Sequence, residues 1–240
     1  MDVLDLALVV VRRKPATLGL AALVGIAPFA GLNAWLFATL TELDPALPLF
    51  LWWFEAPLAL APLTVVLGGL MFARRPTPGR VAKTLLRSAF PLVLIQGFLR
   101  FLPPFWVPPR LAFAGEIVLL ERGAWWKVWR RGGDLVTGRA GELIALGVLQ
   151  TLGIYGFAIL AYVGTARVGQ AFLAEELTWD APAAAGLAGL KFQAPLWIGS
   201  AFFAVARFLA YIDQRIRLEG WEVEIRLRAV AEAMREARRW

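Results

Sequence analysis

The sequence predicts an all-α fold, a polytopic bundle of transmembrane helices. Of its 240 residues, 59% are hydrophobic and 18% are charged, and the mean hydropathy is +0.63, whereas soluble domains carry about a quarter charged residues. Residues 15–41, 56–73 and 143–166 contain no charge, and about 20 mostly apolar residues cross about 30 Å of hydrocarbon. These blocks are continuous rather than alternating, which favours helices over the strands of a membrane β-barrel.

We expect about six spans, together with short interfacial amphipathic helices, in a single membrane domain that covers residues 1–240. The first amphipathic helix is predicted over residues 2–14, where apolar residues recur at helical spacing and three basic residues close the segment. The kink expected from a proline inside a helix falls at Pro28 in the first span. The six spans are predicted at residues 16–39, 51–72, 86–102, 105–120, 142–165 and 192–212.

Lys and Arg concentrate in the loops that we expect on the cytoplasmic side. Residues 74–87 hold five basic residues and no acid, and the second half of this segment is predicted to form a short amphipathic helix. Residues 122–139 combine tryptophans with cations, which is typical of a helix at headgroup level, and Gly132-Gly133 is expected to break that helix. Because Lys and Arg favour the cytoplasmic side, both termini are expected in the cytoplasm of a bacterium, with the spans in its inner membrane.

Residues 88–121 allow either one span or two. Five prolines interrupt the stretch, among them Pro91, and charged residues lie between them. A single span would place the basic segment at 122–139 outside the cell, against the charge rule. We therefore prefer two short or broken spans.

The chain closes with a basic segment, residues 213–240, which we predict as a cytoplasmic helical tail. Apolar and charged residues alternate over 222–228, as in a strand, but Glu222 precedes Arg226 by four residues and Glu224 precedes Arg228 likewise. Such pairs stabilise helices, so we favour the helix. Gly220 is expected to allow a bend where the helix leaves the membrane.

The composition excludes much enzyme chemistry. The chain has no Cys and no His, which removes thiolate and imidazole ligands together with Ser-His and Cys-His mechanisms. No Walker or dinucleotide glycine pattern occurs, and we predict no catalytic residue, no metal and no cofactor. The net charge of +7 follows the loops beside the spans, so the expected partners are the lipid bilayer and anionic lipid headgroups rather than nucleic acid. The sequence identifies no protein partner.

Ionisable residues at membrane depth mark the candidate site, because burying each of them costs at least about 2.5 kcal/mol. Glu116 and Glu121 lie at the end of the predicted fourth span, and three arginines at 100, 110 and 207 are the cations that we expect to neutralise them. Asp213 is expected to pair with Arg217, four residues later, or with a cation at 130 or 131. The candidate intramembrane polar or ion-pair site comprises Arg100, Arg110, Glu116, Glu121, Arg131, Arg207 and Asp213.

The functional interpretation of this set is a site for a proton, an anion or a lipid headgroup, and the alternative is structural pairing at broken helix ends. A further acid, Glu55, lies near the start of the second span and is expected to face water.

Residues 115–122 and 128–139 resemble a pattern in bacterial six-span membrane proteins. The pattern has a Glu that closes the fourth span, an amphipathic segment, an Arg-Ser or similar pair, a Leu and a Gly. Glu121, Arg131, Leu135 and Gly138 fit it, and Gly132 stands where Ser is usual. The family comprises the YciC-like proteins and the membrane domain attached to some glycerophosphodiester phosphodiesterases. The resemblance implies six helices, a membrane location and no established activity; no phosphodiesterase domain accompanies it.

Three functions are therefore considered for this chain. The first is a non-enzymatic scaffold, assembly or lipid-interacting factor, because the loops are short and no catalytic constellation occurs. The second is a small transporter or channel with its site at the proline-broken spans of residues 88–121, because interrupted helices often build binding sites near the membrane midplane. The third is an enzyme that acts on lipid headgroups, with Glu116 and Glu121 as its carboxylates.

Overall fold

The computed structural model of the protein describes residues 3–39, 47–71, 77–101, 111–121, 125–173 and 189–237, and this part is built of α-helices without strands. The all-α fold class is confirmed. The helices are α1 (Val3–Arg13), α2 (Pro15–Thr39), α3 (Leu47–Ala59), α4 (Ala61–Met71), α5 (Pro78–Phe101), α6 (Ala114–Glu121), α7 (Trp125–Val136), α8 (Ala140–Leu173) and α9 (Leu190–Ala237).

Four stretches of the described chain are long and apolar enough to cross a membrane. They are Pro15–Phe37, Leu47–Met71, Ala140–Phe172 and Leu190–Leu218, and they correspond to the predicted spans one, two, five and six. Their outward faces are apolar: on α8, the side chains of Leu152, Leu160 and Phe172 are 67%, 74% and 81% exposed. Because water would not tolerate so large an apolar surface, these helices indicate an integral membrane protein.

The predicted spans three and four have no counterpart among these four stretches. Residues 86–102 lie mostly in α5, which also carries the cations Arg80, Lys83 and Arg87. Of residues 105–120, those up to 110 lie outside the described residues, and the rest contain α6, which has only eight residues. The count of six spans therefore stays a prediction.

The second span is interrupted at Leu60, where α3 ends and α4 begins. Pro57 and Pro62 flank this point, and each lacks the N–H that a helix requires. The Leu60 amide still donates to the Ala56 carbonyl at 3.0 Å, so the two helices run on from each other. The backbone of α2 packs directly on the interruption, because a Cβ on Gly25 would overlap the Ala59 carbonyl oxygen.

Two helices form the centre of the bundle. The α4 helix is contacted by α2, α5, α6 and α9, and the short α6 helix is enclosed by α4, α5 and α7. Among the most deeply buried side chains are Leu63 of α4, Ile117 of α6 and Val205 of α9, each 1% exposed. By contrast α8 packs mainly along α9, which explains its exposed apolar face.

The predicted interfacial helix at the N-terminus packs on protein. The α1 helix lies against α9, and its Ala7 is 0% exposed, with Val3 and Val10 packed around the same core. Part of the apolar face that would suit a lipid surface is therefore covered by α9, while Leu6 and Leu8 stay exposed. The basic residues at the end of α1 remain exposed.

The helix break expected at Gly132-Gly133 is wrong. Gly132-Gly133 lies inside α7, which continues to Val136, and the chain turns instead at Gly138, whose φ is +83°. Gly132 is buried on the same face as Val128 and Leu135, and packing of this face outweighs the cost of about 1 kcal/mol for glycine in a helix. The α9 helix continues through Gly220 to Ala237, and the bend expected at Gly220 stays a prediction.

The amphipathic segment expected before the third span is not a separate helix. It forms the first part of α5, which is continuous from Pro78 to Phe101 and includes Pro91. The Ser88 side chain, on the same helix, is 5% exposed. The change from polar to apolar composition along this segment thus falls inside one helix.

We predict that Gly25→Ala destabilises the protein by about 1–3 kcal/mol, the usual cost of overpacking, because the new methyl group meets the Ala59 carbonyl of the backbone. Gly31→Ala on the same helix is the control, since a Cβ there meets nothing within 4 Å and Ala is the better helix former. Thermal unfolding of the full chain in detergent measures both. Equal midpoints for the two variants would contradict the close contact.

Candidate functional site

The candidate site is built around α6, which carries two carboxylates into the interior of the bundle. Residues Ala114 to Leu119 of this helix are all buried, and Glu116 is only 1% exposed. Glu121 closes the helix about 7.5 Å further along its axis, at 1.5 Å per residue. We name Glu116, Glu121, Arg131, Arg207 and Tyr211 the polar core; their contacts form two groups along α6, Glu116 with Arg207 and Glu121 with Arg131 and Tyr211.

Glu116 is neutralised by Arg207 of α9. The Arg207 Nε donates to Oε1 of Glu116 at 2.6 Å, and the Arg207 side chain is 21% exposed. The second carboxylate oxygen, Oε2, is buried and accepts no hydrogen bond from the described residues. An arginine commonly binds a carboxylate through two parallel hydrogen bonds, so this pair leaves bonding capacity unused on both partners.

Glu121 is held by two residues from two different helices. The Tyr211 hydroxyl of α9 donates to Oε1 of Glu121 at 2.7 Å, and the Arg131 Nε of α7 lies 3.2 Å from both carboxylate oxygens. The Tyr211 side chain is 0% exposed and packs edge-on against Phe113 at 5.8 Å. This cluster therefore ties α6, α7 and α9 together at one end of the bundle.

The structure brings four of the seven predicted site residues together and separates Asp213 from them. Asp213 accepts a hydrogen bond from Arg217 at 2.8 Å within α9, on an exposed surface. This is the intrahelical partner that the spacing allowed. Arg110 and the side chain of Arg100 lie outside the described part of the chain.

Sequence reasoning missed Tyr211 as a member of the polar core. Its spacing of four residues from Arg207 places both on one face of α9, which was a usable signal. The expectation that Glu55 faces water is wrong: it is 9% exposed and accepts a hydrogen bond from Asn33 of α2 at 2.8 Å. Glu55 lies several residues inside α3, where α2 covers it.

A small cavity lies beside the polar core, between α3, α8 and α9. Its volume is about 50 Å³, and its polar lining among the described residues consists of Arg207, Gln150, Thr151 and Ser200 together with the indoles of Trp52 and Trp53. The Trp52 Nε1 donates to the Ser200 hydroxyl at 3.0 Å. Such a lining suits water or a small polar ligand.

A much larger apolar groove lies between α2 and α9. Its volume is about 960 Å³, and it extends along α2 from Pro15 to Phe37, with Leu63 of α4 also in its lining. Only Asn33 and Gln193 contribute amide side chains to the described lining. The groove and the small cavity share no lining residue.

We predict that Tyr211→Phe destabilises the protein by about 1.5–3 kcal/mol, the value of a hydrogen bond to a charged group, because the ring stays packed while Glu121 loses one donor and the contact of the hydroxyl with Arg215 is removed. Tyr162→Phe is the matched control. The Tyr162 ring also packs edge-on, against Phe192, and its hydroxyl has no hydrogen bond to a described residue. Unfolding of both variants in detergent decides the point, and a neutral Tyr211→Phe would show that Arg131 alone holds Glu121.

No family model, curated protein or solved structure matches this chain. The resemblance to the YciC-like proteins accordingly stays a prediction. Within the described residues, no group of three or more carboxylates has the geometry of a metal site.

Proposed function

We propose that the protein is a non-enzymatic, lipid-interacting factor of the bacterial inner membrane, and that it binds a lipid in the groove between α2 and α9. The observation that carries this proposal is the groove itself. Its volume of about 960 Å³ lies at the upper end of the range of about 300–1,000 Å³ for ligand pockets. Its nearly uniform apolar lining offers little to a polar solute.

The depth of the groove favours acyl chains as its occupant. The groove runs along α2 between residues 15 and 37, a length of about 33 Å at 1.5 Å per residue. This length is close to the thickness of a hydrocarbon core, about 30 Å. Both flanking helices belong to the membrane-crossing stretches. Lipid chains are therefore the apolar molecules that surround this opening in the membrane.

The charge at one end of the groove favours an anionic lipid. Val11 and Pro15 line that end. The three residues between them in sequence are basic and exposed: Arg12, Arg13 and Lys14. A basic residue near a membrane surface contributes about 1 kcal/mol to the attraction of anionic headgroups. The phosphate of a lipid whose chains occupy the groove lies within the reach of this cluster.

We further propose six spans with both termini in the cytoplasm. The basic segments at 74–87 and 122–139 then share the cytoplasmic side, as the charge rule favours. Packing of α5 against the buried α6 supports a broken pair of membrane segments between residues 78 and 121. Non-helical backbone between such segments is tolerated where protein covers it.

A small transporter or channel is the second candidate, and the buried polar core favours it. An ion pair such as Glu116 with Arg207 inside a membrane bundle marks many transport pathways. The cavity beside it has a volume of only about 50 Å³, which supports a local binding site rather than a route. Because Glu116 and Glu121 both bind arginines, we do not propose an enzyme that uses them as acid and base.

Single cysteines introduced into this cysteine-free chain test the topology. With six spans, an impermeant thiol reagent added outside intact cells labels cysteines at positions 44, 104 and 180. Cysteines at 134 and 234 are protected until the membrane is opened. Position 134 is an exposed residue of α7 and serves in place of the ion-paired Arg131. Outside labelling at 134 would indicate an odd number of spans before α7 and would reject the six-span topology.

Gly19→Phe tests the groove, because Gly19 lines it and a side chain there meets nothing within 4 Å. The phenyl ring is expected to fill part of the groove and to lower the amount of co-purified lipid several-fold, as measured by mass spectrometry. Gly31→Phe is the matched control: it lies on the same helix, a Cβ there also meets nothing within 4 Å, and Gly31 is not among the residues that line the groove.

The same measurement distinguishes anionic from neutral lipids. Replacement of Arg12, Arg13 and Lys14 by Gln is expected to reduce anionic lipid selectively, whereas the same charge removal at the exposed Arg80, Lys83 and Arg87 of α5 is not. Equal lipid retention by Gly19→Phe, Gly31→Phe and the unchanged protein would refute the proposed function.

A further inference from the structure

The small cavity between α3, α8 and α9 has a chemistry distinct from that of the lipid groove. Arg207 is the one ionisable side chain among the described residues that line it. No carboxylate contributes to this lining, so the charge that faces the cavity is positive. The positions of its lining residues on α3, α8 and α9 place it well inside three of the membrane-crossing stretches.

Arg207 keeps unused donors at this cavity. Within the described residues its guanidinium binds protein through Nε alone, to Glu116, and the four hydrogens on its two terminal nitrogens have no partner there. A guanidinium held at membrane depth without its full set of hydrogen bonds is costly. A ligand with acceptor atoms satisfies these donors.

Of the other polar side chains in the lining, Gln150 adds a second donor, whereas the hydroxyl protons of Thr151 and Ser200 are already used inside their own helices. The Thr151 hydroxyl donates to the Gly147 carbonyl at 2.9 Å, and the Ser200 hydroxyl donates to the Leu196 carbonyl at 2.6 Å. The Gln150 amide has no hydrogen bond to a described residue and so presents a free N–H₂ group. Gln150 and Arg207 are thus the residues of the described lining that bring donors without a described partner to the cavity.

We infer that this cavity is a binding site for a small inorganic anion of halide size, held by Arg207 and Gln150. The volume of about 50 Å³ exceeds the about 10–15 Å³ that one water requires in a cavity, so a small ion such as a halide fits. A phosphate group attached to acyl chains does not fit. The inference goes beyond the proposed function, because the site shares no lining residue with the lipid groove.

Glu116 and the anion are alternative counter-ions of Arg207. The Glu116 carboxylate, on α6, accepts the hydrogen bond of the Arg207 Nε. Arg207 also lines the cavity, together with residues of α3 and α8. Removal of the carboxylate charge leaves Arg207 without a fixed counter-ion and strengthens its attraction for the anion. The affinity of the cavity for halide is therefore set by Glu116.

Thermal unfolding of the full chain in detergent, in sodium chloride and in sodium gluconate of equal ionic strength, tests this site. Chloride fits the cavity and gluconate does not, so chloride is expected to raise the unfolding midpoint relative to gluconate by roughly 2–4 °C at saturation. Glu116→Gln is expected to bind chloride roughly tenfold more tightly than the unchanged protein. Arg207→Gln is expected to lose the difference between the two anions.

A second variant covers the case in which Arg207→Gln does not fold. Gln150→Leu keeps the ion pair with Glu116 but removes the other donor, and it is expected to weaken the chloride effect. Gly19→Phe, which blocks the lipid groove, is expected to leave the chloride effect unchanged and so separates the two sites. Equal midpoints in chloride and gluconate for both the unchanged protein and Glu116→Gln would overturn the inference and assign the cavity to water.

Discussion

The ion pair between Glu116 and Arg207 is the constraint on which the arrangement of this bundle depends. Loss of one partner of a buried pair costs about 3–5 kcal/mol, so α6 is held at the height where its carboxylate meets α9 at 2.6 Å. The Tyr211 hydroxyl, four residues later on α9, binds Glu121 at 2.7 Å. Two contacts along one short helix determine both its height and its rotation. The neighbouring α5 and α7 pack on α6 and take their positions from it.

The interrupted second span explains why a groove opens between α2 and α9. The α2 helix packs against α3 and α4, with Gly25 directly on the Ala59 carbonyl, and the close approach is possible because glycine has no Cβ. The α9 helix packs on α4 as well. Since α2 and α9 are both drawn to the α3–α4 segment, the space between them is filled only at its base, by Leu63. Among the described residues, that space is faced by apolar and aromatic side chains and by the amides of Asn33 and Gln193.

The parts of the fold that sequence predicts well are those with a continuous signal. Uncharged blocks predict α2, the α3–α4 segment and α8, and the mostly apolar run of residues 192–206 predicts the first part of α9, because hydrocarbon length alone decides them. The α5 and α6 helices mix Pro91, charges and apolar residues, and their placement follows from partners far away in sequence, such as Arg207, 91 residues after Glu116. The residue types indicate that each of these charged side chains needs a partner, but only the packing decides which residue that partner is. The expectation that Glu55 faces water was wrong for the same reason, since its partner Asn33 is on another helix.

The α9 helix shows why the two sites remain chemically separate. Ser200, Arg207 and Tyr211 recur at intervals of seven and four residues and lie on one face, towards the cavity and α6. Ala194, Ile198 and Val205 recur at four and seven residues on the opposite side and line the groove. A single helix therefore carries a polar face towards the cavity and an apolar face towards the groove. Its mixed composition, lower in hydropathy than that of α8, is the direct consequence of serving both.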